Sequence, residues 1–291
     1  MKIVKLKGGL GNQMFQYTYA KLIERLSGET TKVDASYFHG ITGDNVRQPR
    51  LFKFSLSLLT ASEIEIRNIC KLSHKGNPLK FDYKLKIVFE KLFNKRYYFE
   101  MKRDYVDPLT IVKHDYFDGY WQSWQYVDAI WDAVCKDFAP SYDFSKAVND
   151  EIKKVKSQNS VFVGVRKGDY ESNKKRFGSF NQHYFDQAIQ YITDKIRNPV
   201  FYIFSDDIDW VIKNMDFQKW NPVFRIKSPD NDDFDELMVM ANCKHAIIIN
   251  STFHWWGARL NETNDKIVIA PKKWFFDGGK IDIVPPRWIK L

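Results

Sequence analysis

Short and nearly continuous apolar runs recur through the second half of the chain. They cover residues 161–165, 200–204, 223–226, 246–249 and 267–270. Runs of this length are typical of parallel strands that helices cover on both faces, and helix-length stretches separate them here. The pattern therefore predicts an α/β domain in which a strand and then a helix are repeated five times.

The amino-terminal half starts with the same order of elements. Residues 2–6 predict a strand, and apolar residues recur at helical spacing from Phe15 to Leu26, just before Gly28. A glycine-rich loop, residues 8–13, lies between them. Its glycines permit positive φ, and the first N–H groups of the following helix attract anions. The loop alone fits either a ligand site or a structural tight turn.

Polar residues follow three of the predicted strands of the second half. They are Arg166-Lys167-Gly168-Asp169, Ser205-Asp206-Asp207 and Asn250-Ser251-Thr252. Right-handed crossovers bring the carboxyl ends of parallel strands to one edge of a sheet, and open α/β sheets bind their ligands at that edge. These groups are therefore predicted to share one site, which suits a phosphorylated ligand.

Length and composition predict two folded domains. The 291 residues are 44% hydrophobic and 16% aromatic, and no low-complexity tract interrupts them. We expect a boundary near residue 157, with domains 1–157 and 158–291, and with residues 285–291 crossing back to the first domain. No apolar run reaches the length of a membrane span and the first residues do not resemble a secretory signal, so a cytoplasmic location is expected.

Cysteine and histidine content argues against a disulfide or metal framework. Cys70, Cys135 and Cys243 are odd in number and far apart, so they are predicted to be reduced core residues. The six histidines form no pair at metal-binding spacing, and no metal site is predicted from them.

Positive charge is concentrated in one segment. The net charge is +9, and residues 71–103 hold ten Lys or Arg against three acids. Part of this segment fits a helix with Phe89, Leu92 and Phe93 facing inward and lysines around them. Two interpretations are open: a helix on an anionic membrane surface, at the inner face of the membrane, or a solvated helix with an ordinary buried face. Aromatic and basic residues also interleave at 97–99, but without a nucleic-acid-binding signature, so no nucleic-acid partner is predicted.

Five motifs together resemble a known family. They read GGLGNQMFQY at 8–17, GYWQS at 119–123, VRKGDY at 165–170, FSDDIDW at 204–210 and NSTFHWWGA at 250–258. In this order they resemble the signature segments of the bacterial α-1,2-fucosyltransferases of glycosyltransferase family 11, over nearly the whole chain. The resemblance implies a GT-B-type α/β fold, with two Rossmann-like domains facing a central cleft.

The resemblance also implies an activity. Members of the family transfer L-fucose from GDP-fucose to the 2-hydroxyl of a galactose and invert the anomeric centre without a metal or other cofactor. The expected partners are GDP-fucose and a galactose-terminated oligosaccharide or lipid-linked glycan, and the expected role is surface polysaccharide synthesis such as that of O-antigen.

On this resemblance the donor site lies in the second domain except for Gly11, which belongs to the first. Arg166 is the expected catalytic cation, because a guanidinium at the end of a buried strand can grip two oxygens of the departing diphosphate. Asp169 is expected to orient Arg166 or to act in catalysis itself. The predicted donor-binding residues are Gly11, Gly164, Arg166, Ser205, Asp206, Asp207, Asn250, Ser251, Thr252 and Phe253.

The predicted acceptor side lies in the first domain. Asn12, Gln13, Trp121 and Gln122 are expected to bind the acceptor, with Asn12 also positioning the reacting hydroxyl as a catalytic residue. An aromatic face beside an amide suits a galactose, although a purely structural role for Trp121 is an equally open interpretation. No general base is evident from the sequence.

The chain departs from the family pattern at three positions. The family commonly has His-x-Arg-Arg-x-Asp where this chain has Gly164, Arg166, Lys167 and Asp169, and Ser where it has His254. Lys167 keeps a charge without the bidentate fork of an arginine, so a structural role or a weaker phosphate contact is expected.

Other functions are open at this stage. They are a transferase for another GDP-sugar, a metal-dependent transferase that uses Asp207 and Asp209 as an Asp-x-Asp motif, an oxidoreductase that binds a dinucleotide at residues 8–11, and a basic binding protein without activity.

Overall fold

The computed structural model describes residues 1–38, 49–57, 59–70, 81–168, 174–178, 181–225, 233–279 and 281–291. The chain divides into two compact units. Unit 1 is Met1–Ser141 with Lys280–Ile283, and unit 2 is Tyr142–Gly279 with Val284–Leu291. Each unit is built on one parallel sheet flanked by helices. The predicted α/β class with two parallel-sheet units is therefore confirmed.

Unit 1 contains a five-stranded sheet with the order β3-β2-β1-β5-β4, and all of its paired strands are parallel. Its strands are β1 (Lys2–Lys5), β2 (Thr31–Asp34), β3 (Leu59–Thr60), β4 (Tyr97–Phe99) and β5 (Tyr116–Asp118). Its helices are α1 (Leu10–Ser27), α2 (Glu63–Ile69), α3 (Phe81–Phe93), α4 (Pro108–Ile111) and α5 (Trp124–Val134).

Helix α1 forms where the apolar spacing predicted it. Gly28 adopts φ 68°, a left-handed conformation that glycine allows without steric cost, and its N–H donates to Glu24 O to end the helix. Most of the helix is buried, including Met14, Phe15 and Tyr19, because the helix lies against strand β1 and helix α5. The strand, loop and helix at the start of the chain are confirmed.

Unit 2 contains a six-stranded sheet with the order β11-β10-β9-β6-β7-β8, again with parallel pairing. Its strands are β6 (Asn159–Val165), β7 (Pro199–Ser205), β8 (Val223–Phe224), β9 (His245–Ile247), β10 (Val268–Ala270) and β11 (Ile289–Lys290). Its helices are α6 (Lys146–Ser157), α7 (Lys174–Phe177), α8 (Gln182–Lys195), α9 (Ile208–Asn214), α10 (Asp233–Ala241) and α11 (Thr252–Leu260).

The five apolar runs of the second half all contribute strands of this sheet. Residues Val161, Val163 and Val165 of the central strand β6 are fully buried, as the continuous apolar pattern requires of a strand covered on both faces. The repeat itself is one helix shorter than predicted. After β10, residues 271–279 and 281–288 contain no helix, and the chain ends in the short strand β11.

The division between the units differs from the predicted boundary after residue 157. Helix α6 belongs to unit 2, since its apolar residues Val148 and Val155 are buried and the helix packs on β6 and α10. The end of the chain also differs. Residues 280–283 are grouped with unit 1, whereas 284–291 remain in unit 2, where Ile289 pairs with Ile269.

Three further expectations can be compared with the described residues. Cys70, Cys135 and Cys243 are free thiols, and Cys70 and Cys243 are buried. None of the helices in the described ranges is long and apolar enough to span a bilayer. Helix α3 corrects one prediction: Phe89, Leu92 and Phe93 are exposed, and the polar residues Glu90 and Asn94 are the buried ones.

Candidate active site

The carboxyl ends of β6, β7 and β9 lie side by side in unit 2, because these three strands are neighbours in its sheet. Arg166 follows β6 directly, Asp206 follows β7, and Asn250 comes three residues after the end of β9. The structure thus brings the three predicted polar segments to one edge of the sheet, here called the donor edge. Asp169 lies outside the described residues.

Helix α11 begins at the donor edge. The Ser251 hydroxyl caps it by accepting from the N–H of His254 at 3.5 Å, and Thr252 and Phe253 form its first turn. The start of a helix carries N–H groups without helical partners and the positive end of the helix dipole. Beside Arg166, this helix start provides a place for an anion.

The imidazole of His254 lies close to Arg166 and directly over Gly164. Burial and, to a smaller extent, the positive charge of Arg166 together lower the pKa of His254 to about 3. The ring is therefore neutral at physiological pH. It is almost completely buried, and its Nδ1 has no hydrogen-bond partner among the described residues.

Gly164 and His254 fit each other sterically. A Cβ atom placed on Gly164 would lie only 2.6 Å from Cγ and 2.7 Å from Cε1 of His254. A side chain on strand β6 at this position would thus force the imidazole from helix α11 to move. The two positions noted from the sequence, 164 and 254, therefore meet in one contact, which separate inspection of the two motifs did not reveal.

The carboxylates after β7 are engaged with protein groups. Asp206 accepts from the backbone N–H of Lys167 at 2.8 Å and of Gly168 at 3.1 Å. Asp207 caps helix α9 by accepting from Trp210 N–H at 3.0 Å, and it forms an ion pair with Lys167 Nζ at 2.7 Å. Lys167 therefore has a structural partner in Asp207, one of the two roles expected of a lysine in place of an arginine. Asp206 fixes the backbone that follows Arg166.

Asn250 and Ser205 are largely buried and connect loops at the donor edge. The Asn250 side-chain amide donates to Trp274 O at 2.7 Å and to Phe177 O at 3.2 Å, while Ser205 Oγ accepts from Asp207 N–H at 3.1 Å. A cavity of about 190 Å³ opens beside Asn250 and is lined in part by Lys272 and Lys273. The donor edge therefore offers both cations and space.

The Asp-x-Asp interpretation finds no further ligands among the described residues. Asp207 is held by Lys167 and by the cap of α9, and Asp209 lies exposed in the first turn of that helix. The described ranges contain no group of three or more His, Cys, Asp or Glu residues placed to hold a metal ion.

In unit 1 the glycine-rich loop meets the GYWQS motif. Gly8 has φ 79°, and a Cβ atom there would lie 2.5 Å from Asn12 Nδ2, so both the backbone and the space require glycine. Gln122 Nε2 donates to Asn12 Oδ1 at 2.8 Å. Gln16, which is fully buried, joins the two motifs by donating to Gly119 O at 3.2 Å. Asn12 and Gln122 are therefore brought together as predicted.

Gln13 and Trp121 are buried instead of presented to a ligand. Gln13 donates to Gly8 O and accepts from Leu51 N–H, so its amide holds the loop. Trp121 is 1% exposed and stacks on Tyr19 with ring centroids 3.9 Å apart. Both side chains therefore position the loops, and their contact with the acceptor stays a prediction. The adjacent Tyr120, with 38% exposure, is the aromatic side chain of this motif that faces solvent.

Three charged side chains beside these motifs were not anticipated from the sequence. Glu100 follows β4 and accepts from the backbone N–H groups of Tyr120 and Trp121 at 2.5 and 3.1 Å. Burial raises the pKa of Glu100 to about 7, although these two N–H groups and Lys7 oppose the rise. No motif contains Glu100, and the only available signal was its place at the end of a strand.

Lys7 and Asp118 form a buried ion pair next to the same loops, with Nζ and Oδ1 2.5 Å apart. Burial alone would raise the pKa of Asp118, but the ammonium groups of Lys7 and Lys5 outweigh it and hold that pKa well below its usual range. Lys7 also lies 4.7 Å from the ring centroid of Tyr120. This ion pair holds one positive and one negative charge together at the carboxyl ends of β1 and β5.

Comparison with known proteins agrees with the motif order. A model of glycosyl transferase family 11 matches residues 1–291. The chain is 32% identical over 302 residues to the O-antigen biosynthesis glycosyltransferase WbnK of Escherichia coli, covering 98% of this chain and 99% of that protein. It is 31% identical over 305 residues to an α-1,2-colitosyltransferase of Escherichia coli, covering 99% and 98%.

A more distant relative comes from mammals. The chain is 24% identical over 271 residues to the galactoside 2-alpha-L-fucosyltransferase Sec1 of Mus musculus, covering 89% of this chain and 64% of that protein. The family model extends over every residue, and the two bacterial relatives align over almost their entire length. The chain therefore belongs to glycosyl transferase family 11.

Proposed function

We propose that this protein transfers L-fucose from GDP-fucose to the 2-hydroxyl of a terminal galactose, with inversion at the anomeric carbon. The order of the five motifs supports this activity, as do relatives named as an α-1,2-colitosyltransferase and a galactoside 2-alpha-L-fucosyltransferase. The name of the WbnK relative supports a role in O-antigen synthesis, where the acceptor is a lipid-linked or free glycan.

The observation that carries the proposal is the position of Arg166 beside the start of helix α11. In a displacement at the anomeric carbon, negative charge grows on the departing diphosphate while the sugar becomes oxocarbenium-like. A fixed guanidinium and helix N–H groups stabilise that charge more in the transition state than in the ground state. Neutral His254 adds no competing charge beside them.

The rest of the donor edge suits a nucleotide. In the proposed complex, Ser251, Thr252 and the first turn of α11 bind the diphosphate, and the guanosine enters the cavity beside Asn250 and Lys272. Asp206 acts indirectly, since it fixes the backbone of Lys167 and Gly168 after Arg166. Gly11, Phe253 and Asp169 remain predicted members of the site.

The acceptor side of the proposal rests on Asn12. Its side chain is partly exposed and oriented by Gln122, so its amide is preorganised to bind a sugar hydroxyl. Tyr120 offers an exposed ring next to it in the GYWQS motif, suited to packing on the C–H face of a galactose. Gln13, Trp121 and Glu100 hold these loops in place.

A second donor is favoured by one specific observation. A relative that is 31% identical over almost its full length is named an α-1,2-colitosyltransferase. Colitose differs from L-fucose only by the absence of the 3-hydroxyl, so the diphosphate site described above serves either sugar equally. Competition between GDP-fucose and GDP-colitose in one assay, read as the ratio of kcat/KM, distinguishes the two donors.

The proposed diphosphate site is tested with Arg166→Ala. We expect GDP affinity to fall at least tenfold and kcat to fall by about 10²- to 10³-fold, because one fixed transition-state donor is lost. Calorimetric titration of GDP and product formation by chromatography measure the two effects, with and without a chelator. Arg197→Ala is the matched control, since Arg197 is exposed at the amino-terminal end of β7, the opposite edge of the same sheet.

Normal turnover in Arg166→Ala would reject the assignment of the diphosphate site. Stabilisation of the wild type by a different nucleotide, and not by GDP, would reject the donor class. Activity lost on chelation and restored by Mn²⁺ would favour the metal-dependent alternative.

A further inference from the structure

Helix α3 has its polar and apolar sides reversed relative to an ordinary surface helix. Glu90 is completely buried and Asn94 is nearly so. On the opposite side Leu92 is 66% exposed and Phe93 63%, and the other exposed apolar residues are Leu85, Val88 and Phe89. A surface helix of a globular protein normally presents this stripe to the core.

Specific contacts of the polar side hold the helix in this orientation. Asn94 Nδ2 donates to Ile69 O at the end of helix α2 and to Glu90 Oε2, both at 2.7 Å. Asn94 Oδ1 also accepts from the N–H of Arg96, immediately before strand β4. The apolar side therefore faces outward as a consequence of buried hydrogen bonds, which would be lost if the helix turned over.

The exposed apolar residues form one continuous stripe. Leu85, Val88, Phe89, Leu92 and Phe93 are spaced by three or four residues, the interval that puts side chains on one face of a helix. At 100° per residue, Lys84 and Lys91 fall along one border of the stripe and Lys86 along the other, and Lys95 follows two residues after the helix ends. The only acid between residues 84 and 95 is Glu90, which is buried on the opposite side.

We propose that the exposed face of α3 is a docking surface for an anionic lipid bilayer. An apolar stripe bordered by lysines lets aromatic and aliphatic side chains enter the acyl boundary while ammonium groups meet lipid phosphates. Charge complementarity identifies the partner, because residues 71–103 carry a net +7 and lysines border the apolar stripe on both sides. None of these four lysines forms an ion pair with a described residue.

Vesicle flotation tests the proposal with the full chain. Wild-type protein is mixed with vesicles of phosphatidylcholine alone or of phosphatidylcholine with about 30% phosphatidylglycerol, at low and high salt. We expect binding to the anionic vesicles at least tenfold stronger than to the neutral ones, and weaker binding at high salt because lipid attraction is screened. Equal binding to both vesicle types, or no binding to either, would overturn the proposal.

Two sets of variants separate the apolar and electrostatic contributions. Leu92→Glu with Phe93→Glu should abolish flotation, and Lys84→Glu with Lys91→Glu and Lys95→Glu should reduce it at least tenfold. Leu109→Glu is the matched control, because Leu109 is equally exposed in helix α4 of the same unit and should leave binding unchanged. Unaltered circular dichroism and unaltered activity on a soluble acceptor establish that the variants are folded.

A second copy of the chain is the competing occupant of this face. Light scattering after gel filtration detects it directly. A dimer that dissociates in the Leu92→Glu, Phe93→Glu variant, together with absence of vesicle binding, would overturn the bilayer proposal and assign the face to self-association. Monomeric wild-type protein that floats with anionic vesicles supports it. Neither outcome depends on the donor sugar, so failure of the proposed activity is a separate result.

Discussion

Glu100 in unit 1 is a residue whose pKa the fold shifts close to physiological pH. Its pKa is raised to about 7 because the group is removed from water, while the N–H groups of Tyr120 and Trp121 and the charge of Lys7 favour the carboxylate. Trp121 has a positive φ of 56°, which is uncommon for a residue other than glycine. Glu100 therefore holds a turn of the GYWQS motif in an otherwise unfavourable conformation.

The raised pKa of Glu100 makes stability depend on pH. The folded protein retains a proton on Glu100 that the unfolded chain releases near pH 4.5. The resulting stabilisation is complete below pH 4.5 and is lost as pH rises through about 7. Relative to Glu100→Gln, the wild type should lose about 2 kcal/mol of unfolding free energy between pH 5 and 8. This figure is smaller than the one the whole pKa shift would give, because the side chain of Glu100 is partly exposed and solvent screens its interactions.

Urea unfolding at several pH values measures this difference. Glu262→Gln, which alters an exposed carboxyl of unit 2, serves as the control and should follow the wild type at every pH. Identical pH dependence of Glu100→Gln and the wild type would show that the carboxyl is not perturbed.

At the scale of elements, helix α11 and strand β6 are matched through one contact. The backbone at Gly164 leaves room for the ring of His254, and Gly257 of the same helix allows close packing, since a Cβ there would lie 3.1 Å from Met240 Cβ. Trp255 and Trp256 are fully buried on the helix. The start of α11 is thus placed by buried side chains that pack against the sheet and helix α10.

Gly164→Ala should destabilise the protein by about 1–3 kcal/mol, because a buried ring must move away from the new methyl group. His254→Ser alone should also destabilise it, since the ring leaves a cavity. In the double variant the two costs should not add, and a coupling of at least about 1 kcal/mol is expected. Denaturant unfolding of all four proteins completes the cycle, and strictly additive costs would contradict a direct contact between the two positions.

At the scale of the whole molecule, the chain passes between its two units three times, after residues 141, 279 and 283. The short return segment is fixed in unit 1 by Asp282. Its carboxylate accepts from Ser123 Oγ, Trp124 Nε1 and Gln125 Nε2 at 2.9, 2.8 and 2.6 Å, and its backbone carbonyl accepts from Trp124 N–H. Three residues at the start of α5 therefore depend on a residue near the other end of the sequence.

Asp282→Ala should destabilise unit 1 by about 2–3 kcal/mol, since three donors lose a charged acceptor. Hydrogen exchange should accelerate at residues 123–126 and stay unchanged in β6 and β7, and GDP affinity should change less than twofold. Equal acceleration in both units would contradict a local role. Asp265→Ala, at an exposed acid of unit 2, is the control and should leave the exchange of residues 123–126 unaltered.

Local sequence determined the elements whose burial is uniform along the chain. A strand covered on both faces must be apolar at successive positions. The strands of unit 2 could therefore be predicted from the continuous apolar runs alone. The end of α1 at Gly28 was equally readable, because a left-handed cap favours glycine. The grouping of Arg166, Asp206 and Asn250 followed as well, since parallel strands place their carboxyl ends together.

Tertiary structure alone decided which face of each element meets which partner. The helical spacing of α3 fixed its apolar stripe, but the bond from Asn94 to Ile69, 25 residues away, turned that stripe outward. The sequence of a motif does not show whether its aromatic residue is exposed or buried. In the folded protein, Trp121 is buried because it stacks on Tyr19. Periodicity is a property of neighbouring residues, whereas burial depends on contacts between residues that are distant in the chain, and only the folded protein specifies those contacts.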